Sequence, residues 1–111
     1  MKTIEFTKMV AAGNDFVVID SKAGIAESKL KQFAQKVCDR KYGIGADGLL
    51  LIEKSKKADV RMRIFNADGS EAQMCGNGSR CAALWAGGRV QGTGSSKKVI
   101  KLETKAGIIE S

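Results

Sequence analysis

The sequence predicts an α+β fold, in which a strongly curved, mixed sheet of about five or six strands wraps around one buried helix. A second, amphipathic helix is expected outside the sheet. Residues 81–86 are apolar on every side of the helix that they would form, which is typical of a helix inside a domain. Residues 27–38 carry apolar side chains at helical spacing, whereas other short segments alternate or are wholly apolar, as strands do.

The size of the chain fits a single domain. It has 111 residues, of which 43% are hydrophobic, and this is enough for a core. Its three cysteines are too few and too irregular for a disulfide framework, and it has no histidine to help build a zinc site. We therefore expect reduced thiols, a cytoplasmic location and no metal. We recognise neither a targeting segment nor the ~20 apolar residues of a membrane span, so no membrane association is expected.

The charge of the chain limits its partners. The formal net charge is +7, from 19 basic and 12 acidic residues. Such an excess can indicate a nucleic-acid-binding surface, but the arginines and aromatic residues that contact bases are few. A basic surface that attracts an anionic small molecule is the better interpretation, and no nucleic-acid partner is expected.

Two strands joined by a turn are predicted at the start of the chain. Residues 3–10 alternate loosely between apolar and polar side chains, as a half-buried strand does. A glycine-containing turn over residues 11–16 leads into an apolar strand at residues 17–19. Asn14 lies in this turn, either as an ordinary turn residue or as an amide presented to a ligand from the strand edge.

An amphipathic helix is predicted from Glu27 to Arg40. Its apolar residues fall at positions i, i+3, i+4, i+7 and i+8 counted from Leu30. Ser28 is the candidate for its N-cap. Cys38 lies on the apolar face, so it is assigned to the core.

A glycine-rich segment over residues 40–48 follows this helix. The spacing of its glycines fits neither the dinucleotide-binding fingerprint nor the phosphate-binding loop. We interpret it as a tight turn at the rim of a pocket, leading into a buried strand at residues 49–52.

The next predicted strand, residues 59–66, has one face exposed to water. It ends at Asn66, where an Asp-Gly pair signals a turn. Asn66 is therefore close in sequence to Cys75. Asparagines and a cysteine between turns offer hydrogen-bond donors and acceptors without charge, which suits the polar ends of an amino acid.

The last part of the chain is predicted to hold the buried helix and a further strand pair. The helix is expected over residues 76–86, ended by two glycines. Residues 89–97 are expected to form an exposed, flexible connection. A strand over residues 99–104 and a turn then lead to the start of another strand at residues 108–109.

Cys75 directly precedes the buried helix. The first backbone N–H groups of a helix have no partners within it, and the helix dipole places partial positive charge there. A carboxylate binds well at such a position, and the same field favours thiolate over thiol. Cys75 is thus a candidate nucleophile or proton-transfer base. The alternative is a small buried hydrophobe, which is the role of most free cysteines.

Four motifs taken together resemble the N-terminal half of diaminopimelate epimerase, in order and in spacing. Residues 103–107 are similar to the strand and turn that follow in that family. The four motifs are Gly13-Asn14-Asp15-Phe16, Gly43-Ile44-Gly45-Ala46-Asp47-Gly48, residues 62–72 and Met74-Cys75-Gly76-Asn77-Gly78-Ser79-Arg80-Cys81. Residues 1–111 are accordingly interpreted as one N-terminal domain of this family.

The resemblance implies a cofactor-independent isomerase that interconverts LL- and meso-diaminopimelate on the bacterial route to lysine and cell-wall peptide. The family uses two cysteines on opposite faces of the substrate, one as thiolate base and one as thiol acid, and Cys75 matches the first. Asn14, Asn66, Gly76 and Asn77 match substrate-binding positions, with the backbone around Gly76 and Asn77 meeting the α-carboxylate. The family leaves open a homodimer of the full-length protein.

The sequence departs from the family in three places. The C-terminal half, which supplies the second cysteine, is absent, and neither Cys38 nor Cys81 is placed to replace it. Residues 10–12 are Val-Ala-Ala, where members commonly have a histidine or other polar residue followed by glycine. Some members carry a substrate-contacting glutamine at the position of Gly48. Because of the missing half, the isolated chain is expected to be inactive.

Two other functions remain open. One is a related isomerase or racemase, such as a relative of proline racemase, that acts on another small acid. The other is a non-catalytic or truncated binding module that keeps the fold without the chemistry, an interpretation supported mainly by the missing partner cysteine. A pairing of two copies, each giving Cys75 to a shared pocket, is disfavoured, because it would present the same environment twice to an asymmetric carbon.

Overall fold

A computed structural model describes residues 4–73, 75–87 and 100–110. Within them, seven strands form one sheet, and two α-helices and two short 3₁₀ turns connect them. The strands are β1 (Thr7–Ala11), β2 (Asn14–Asp20), β3 (Gly48–Glu53), β4 (Val60–Asn66), β5 (Glu71–Ala72), β6 (Lys101–Thr104) and β7 (Gly107–Glu110). The helices are α1 (Leu30–Cys38) and α2 (Gly76–Gly87), and the 3₁₀ turns are Ser21–Ala23 and Glu27–Lys29.

The sheet is mixed, with the order β1-β2-β3-β4-β6-β7, and β5 pairs with β4 beside this path. Strands β2 and β3 are parallel, as are β4 and β6, and the other pairs are antiparallel. Parallel neighbours need a long crossover, and α1 and α2 lie in the two crossovers. The predicted α+β fold with a mixed sheet is confirmed. The strand number was underestimated, because β5 has only two residues and no pattern of its own.

The two helices cover opposite faces of the sheet. Along β2, Val18 packs in the core cluster of α2, whereas Val17 and Ile19 pack in that of α1. Along β3, Leu50 and Leu51 are divided between the clusters in the same way. Strands covered on both faces are apolar at every position, which explains why β2 and β3 are continuous hydrophobic runs.

The sheet curves around α2. Strands β1, β2, β3, β4 and β6 all contact this helix, although neighbouring strands are about 4.8 Å apart and a helix is only about 10 Å wide. A flat sheet could not bring five strands to one helix. The prediction that α2 is enclosed on all sides is wrong, however, because Leu84 is 74% exposed and Arg80 is also exposed. The apolar run on α2 therefore includes an outward-facing position.

Several element boundaries differ from those predicted. The first strand begins at Thr7, and residues 4–6 are outside it, with Phe6 exposed. The helix predicted from residue 27 starts as a 3₁₀ turn and is α-helical only from Leu30. Ser28 lies inside that turn and does not cap α1, so the N-cap prediction is wrong.

The two helices end one or two residues away from their predicted ends. Helix α1 ends at Cys38, two residues before the predicted end at Arg40, because the backbone of Asp39 is extended and its carboxylate accepts hydrogen bonds from the N–H groups of Lys41 and Tyr42. Helix α2 extends to Gly87, one residue beyond the predicted end at Ala86. The predicted exposed connection at residues 89–97 and the start of the strand at residue 99 lie outside the described residues.

Candidate functional site

Cys75 occupies the N-cap position of α2. Its carbonyl oxygen accepts the first hydrogen bond of the helix from the N–H of Ser79, at 2.8 Å, and a second from the Ser79 hydroxyl, also at 2.8 Å. The Cys75 side chain is half-buried and packs against the core cluster of α2. The thiol is thus at the mouth of the helix, as the sequence predicted, and is neither fully enclosed nor fully exposed.

The start of α2 carries three backbone N–H groups for which the described part of the chain supplies no acceptor. Among the described residues, none accepts a hydrogen bond from the backbone N–H of Gly76, Asn77 or Gly78. Unpartnered N–H groups at a helix N-terminus favour an anion. The arrangement can therefore bind a carboxylate next to the Cys75 thiol.

Gly78 lets the start of α2 approach the sheet closely. A side-chain carbon at this position would lie 3.2 Å from a methyl carbon of Leu50 and 3.6 Å from Cβ of Cys75. At Gly76, in contrast, no atom of the described residues lies within 4 Å of that position. Gly78 therefore allows Cys75 to lie close to the sheet, and Gly76 leaves its backbone accessible to a ligand.

Two of the predicted binding residues are in direct contact. The side-chain amide of Asn77 donates a hydrogen bond of 2.5 Å to Oδ1 of Asn14, the first residue of β2. The turn before β2 and the first turn of α2 are 63 positions apart in the sequence, and this bond joins them. Asn14, Cys75, Gly76 and Asn77 thus form one cluster.

Behind Asn14 lies a charged group that the sequence analysis did not single out. The Asn14 amide donates to Oδ2 of Asp47 at 3.2 Å, and the N–H of Asp15 donates to the same oxygen at 3.0 Å. Arg40 binds both carboxylate oxygens of Asp15, at 2.9 and 3.1 Å, and Oδ1 of Asp47 at 3.1 Å. Hydrogen bonding from Arg40 holds the pKa of Asp15 well below its usual range.

The signal that could have revealed this group is the pairing of β2 with β3. Phe16 pairs with Gly48 in this parallel ladder, so the residues preceding them, Asp15 and Asp47, lie side by side at one edge of the sheet. The N–H of Asp47 donates to both the carbonyl and the carboxylate of Asp15, each at 2.9 Å. Each aspartate stands before an apolar strand, but only the parallel register brings the two together.

Asn66 lies at the same edge of the sheet but is bonded elsewhere. It pairs with Gly48 in the β3–β4 ladder, and Gly48 pairs with Phe16 in turn. Its side-chain amide donates to the Ser70 hydroxyl at 3.0 Å. Among the described residues, Asn66 makes no hydrogen bond to Asn14, Cys75 or Asn77.

Gly48 has little room for a side chain. A side-chain carbon there would lie 3.0 Å from the carbonyl oxygen of Phe65 and 3.2 Å from the ring of Phe16. A contact from this position would require the neighbouring strands to shift.

The β1–β2 hairpin forms the adjoining wall. Ala12 and Gly13 both have positive φ, at 51° and 87°, as in the tight turns that favour glycine or asparagine. Val10 is 69% exposed, and Ala11 packs against the core cluster of α2. The Val-Ala-Ala segment thus makes this wall apolar.

The other two thiols are in the core. All three cysteines are free, and Cys38 and Cys81 are 3% and 2% exposed. Burial raises the pKa of both of these thiols. The prediction that Cys38 belongs to the core is confirmed.

The described residues contain neither a cluster of metal ligands nor a membrane-spanning helix. In residues 4–73, 75–87 and 100–110, no group of three histidine, cysteine, aspartate or glutamate residues could hold a metal ion. None of the helices there is long and apolar enough to cross a membrane.

A cavity of about 540 Å³ lies near the other end of α2, lined by Trp85, Asp59 and Lys54 among others.

Comparison with known sequences places these features in a family. Residues 6–111 match the sequence profile of the family described as diaminopimelate epimerase. Over 108 residues the chain is 55% identical to a diaminopimelate epimerase of Caldanaerobacter subterraneus, covering 96% of the chain and 36% of that relative. It is 50% identical to a diaminopimelate epimerase of Methanocella arvoryzae, covering 99% of the chain and 39% of the relative. The chain spans little more than a third of the length of these curated relatives.

Solved structures with the same fold carry other names. A methylitaconate-delta-isomerase superposes with a TM-score of 0.77 at 15% identity, covering 96% of the chain and 33% of that structure. A hydroxyproline epimerase from Agrobacterium vitis superposes with a TM-score of 0.71 at 16% identity, covering 98% and 36%. At such identities the likeness concerns the fold alone.

Proposed function

The chain belongs to the diaminopimelate epimerase family, and on that premise we propose that it forms the N-terminal domain of a cofactor-independent epimerase acting on diaminopimelate. The proposed reaction interconverts the LL and meso forms by moving one proton at an α-carbon. The observation that carries the proposal is the clustering of a half-buried thiol, unpartnered N–H groups and two amides at the start of α2.

The first requirement of this reaction is to stabilise the carbanion. An α-proton is very weakly acidic, and without an imine-forming cofactor the negative charge must be delocalised into the carboxylate and held by aimed donors. The backbone N–H groups of Gly76 and Asn77 are such donors, since no described residue uses them. We therefore propose that the substrate α-carboxylate binds there, with Asn14 and Asn66 contacting other polar groups of the substrate.

The second requirement is a pair of proton carriers. The Cys75 thiolate takes the α-proton from one face, and a thiol on the other face delivers a proton, so the carbon is inverted and no reagent is consumed. Cys38 and Cys81 are buried in the core. The second thiol is therefore proposed to come from the C-terminal domain that the longer relatives contain.

A second candidate is an isomerase of another small acid. The structures named methylitaconate-delta-isomerase and hydroxyproline epimerase share only the fold with this chain, but they show that the fold occurs in proteins with those other names. Comparison of kcat/KM for diaminopimelate, hydroxyproline and a methylitaconate-like diacid, measured on the full-length protein, distinguishes the two. The cytoplasmic location, the role in lysine and cell-wall synthesis and a homodimer of the full-length protein remain predictions.

The test is exchange of the α-hydrogen of diaminopimelate with deuterium from solvent. The full-length protein that contains this chain should catalyse exchange and epimerisation, and Cys75→Ser should lower kcat by at least about a thousandfold. Cys38→Ala is the matched control and should retain activity. The isolated 111-residue chain should show no turnover. Robust exchange by the isolated chain, or by Cys75→Ser, would contradict the proposal.

A further inference from the structure

The hydrogen bonds behind the site run in one direction. Asp47 accepts from the Asn14 amide, and Oδ1 of Asn14 accepts from the Asn77 amide. The chain of bonds therefore begins at a carboxylate and ends at Asn77. Among the described residues, none donates a hydrogen bond to the remaining acceptor, Oδ1 of Asn77.

The direction follows from chemistry. A carboxylate accepts hydrogen bonds and cannot donate them, whereas an asparagine amide can present either its oxygen or its NH₂ group. Facing Asp47, Asn14 must turn its NH₂ toward the carboxylate, so its oxygen faces Asn77. Asn77 must then donate in turn, and its own oxygen is directed away from Asn14.

The carboxylate is itself held in place. Oδ2 of Asp47 also accepts from the N–H of Asp15, and Oδ1 accepts from Arg40. Arg40 is fixed in turn by its two bonds to Asp15. Asp47 therefore cannot rotate without breaking bonds to two other residues.

We propose that Asp47 is a positioning residue, which through Asn14 fixes the Asn77 amide with Oδ1 facing the substrate as an acceptor for its α-ammonium group. This inference rests on the proposed function. The start of α2 then offers N–H donors for the carboxylate and one acceptor for the ammonium group on the same carbon. A substrate without the amino group leaves that acceptor unpaired, which costs affinity.

The kinetic test uses Asp47→Asn in the full-length protein. The new amide can direct NH₂ toward Asn14, which allows both asparagines to reverse and present a donor to the substrate. The KM for diaminopimelate should rise about tenfold, the equivalent of one hydrogen bond to a charged group, while the inhibition constant of pimelate, the analogue without amino groups, stays within about twofold. General damage to the site would weaken both ligands equally.

A background variant separates orientation from charge. Asp47→Asn also removes a negative charge, and a direct effect of that charge on the ammonium group would be the same with or without Asn77. If Asp47 acts through the orientation of Asn77, Asp47→Asn should change the KM by less than about twofold in an Asn77→Ala background. Asp20→Asn, at the opposite end of β2, also removes one negative charge while its oxygen can still accept from the Lys22 N–H, and it is the matched control. An undiminished effect in the Asn77→Ala background would overturn the proposal.

A spectroscopic test is independent of turnover. In the ¹H–¹⁵N spectrum of the 111-residue chain, Asp47→Asn should shift the side-chain NH₂ signals of both Asn14 and Asn77, although of these two residues only Asn14 bonds directly to Asp47. An unchanged Asn77 signal would overturn the relay. If the wild-type full-length protein lacks epimerase activity while the Asn77 signal shifts, the proposed function fails but the relay stands.

Discussion

The guanidinium of Arg40 binds both carboxylate oxygens of Asp15, at 2.9 and 3.1 Å, and so joins the loop after α1 to the start of β2. Two-point pairs of this kind are stronger than single surface contacts. The Asp15 side chain is only 17% exposed, so water screens this pair less than an open one. The edge of the sheet that holds Asn14 is thus held by charge as well as by strand pairing.

This pair should make the protein sensitive to acid. Because the pKa of Asp15 is lower in the folded state than in the unfolded chain, its stabilising effect is present above about pH 4 and is lost as the pH falls through the folded value. Asp15→Asn should lower the free energy of unfolding at pH 7 by about 2 kcal/mol. Urea unfolding between pH 2 and 7 should show the wild type and the variant converging in acid.

A control is available on the same carboxylate. Lys8 approaches Asp15 at 3.5 Å from a more exposed position, so Lys8→Met should cost less than about 0.5 kcal/mol. A constant difference between wild type and Asp15→Asn across the whole pH range would contradict the argument.

Replacing Ala12, in the turn between β1 and β2, by glycine should stabilise the protein. Ala12 has a φ of 51°, in the left-handed region that costs a residue with a side chain about 1 kcal/mol. Ala12→Gly should therefore raise the free energy of unfolding by up to about 1 kcal/mol. Ala11→Gly is the neighbouring control and should lower it, because Ala11 lies in β1 and packs against the core. Thermal unfolding of the two variants measures the contrast, and equal shifts would be inconsistent with a strained Ala12.

The two glycines at the start of α2 should respond differently to a methyl group. Gly76→Ala meets open space and should be neutral or stabilising, since alanine favours a helix. Gly78→Ala places its methyl group 3.2 Å from Leu50, so overpacking should make it at least about 1 kcal/mol less stable than Gly76→Ala. Chemical denaturation of both variants tests the difference. If Gly78→Ala is the more stable of the two, the approach of α2 to the sheet is looser than described.

Arg63 should be the most costly arginine to remove from β4. Its side chain is 10% exposed and binds Glu27 with two bonds of 2.7 Å and Glu71 at 2.9 and 3.0 Å. Hydrogen bonding from Arg63 lowers the pKa of both carboxyls. Arg63→Ala leaves the half-buried Glu71 with Lys105 as its remaining partner, at 3.3 Å, so the free energy of unfolding at pH 7 should fall by about 2 kcal/mol.

Arg61 provides the comparison for that variant. It lies on the same face of β4, is 43% exposed and approaches Glu53 only at 3.8 Å. Arg61→Ala should cost less than about 1 kcal/mol. Similar losses for the two variants would show that the bonds of Arg63 contribute little.

The three thiols should differ in reactivity. Cys75 is half-buried at the protein surface, whereas Cys38 and Cys81 are enclosed, and burial raises the pKa of those two. Iodoacetamide at pH 7.5 should therefore modify Cys75 at least about tenfold faster, as peptide mass analysis can measure. In denaturant the three rates should become similar. Equal rates under native conditions would contradict the described burial.

Much of the fold could be predicted from local patterns. Helices α1 and α2 and the apolar strands β2 and β3 have strong periodicity or long apolar runs, so their existence was predicted, with errors of a few residues at the ends. The capping of α1 was not predictable, because Ser28 is a good cap by residue type but lies in a 3₁₀ turn. The exposure of Leu84 depends on which part of α2 the sheet fails to cover, and the pattern of α2 does not contain that information.

The site could be predicted only in part. Cys75 and Asn77 are candidates because they stand at a predicted helix start, and Asn14 is a candidate because of its turn and the family motif. The hydrogen bond between Asn14 and Asn77 and the charged group around Asp47 depend on strand register, which local patterns do not reveal. Asn66 was placed correctly at the end of β4, but its bond to Ser70 was not foreseen.

Two hydrogen bonds from Ser79, one from its N–H and one from its hydroxyl, hold the carbonyl of Cys75 in the first turn of α2. The position of the Cys75 sulfur therefore depends on this first turn being formed. Variants that loosen only this first turn should change the reactivity of the Cys75 thiol, whereas the rest of the protein should still unfold cooperatively.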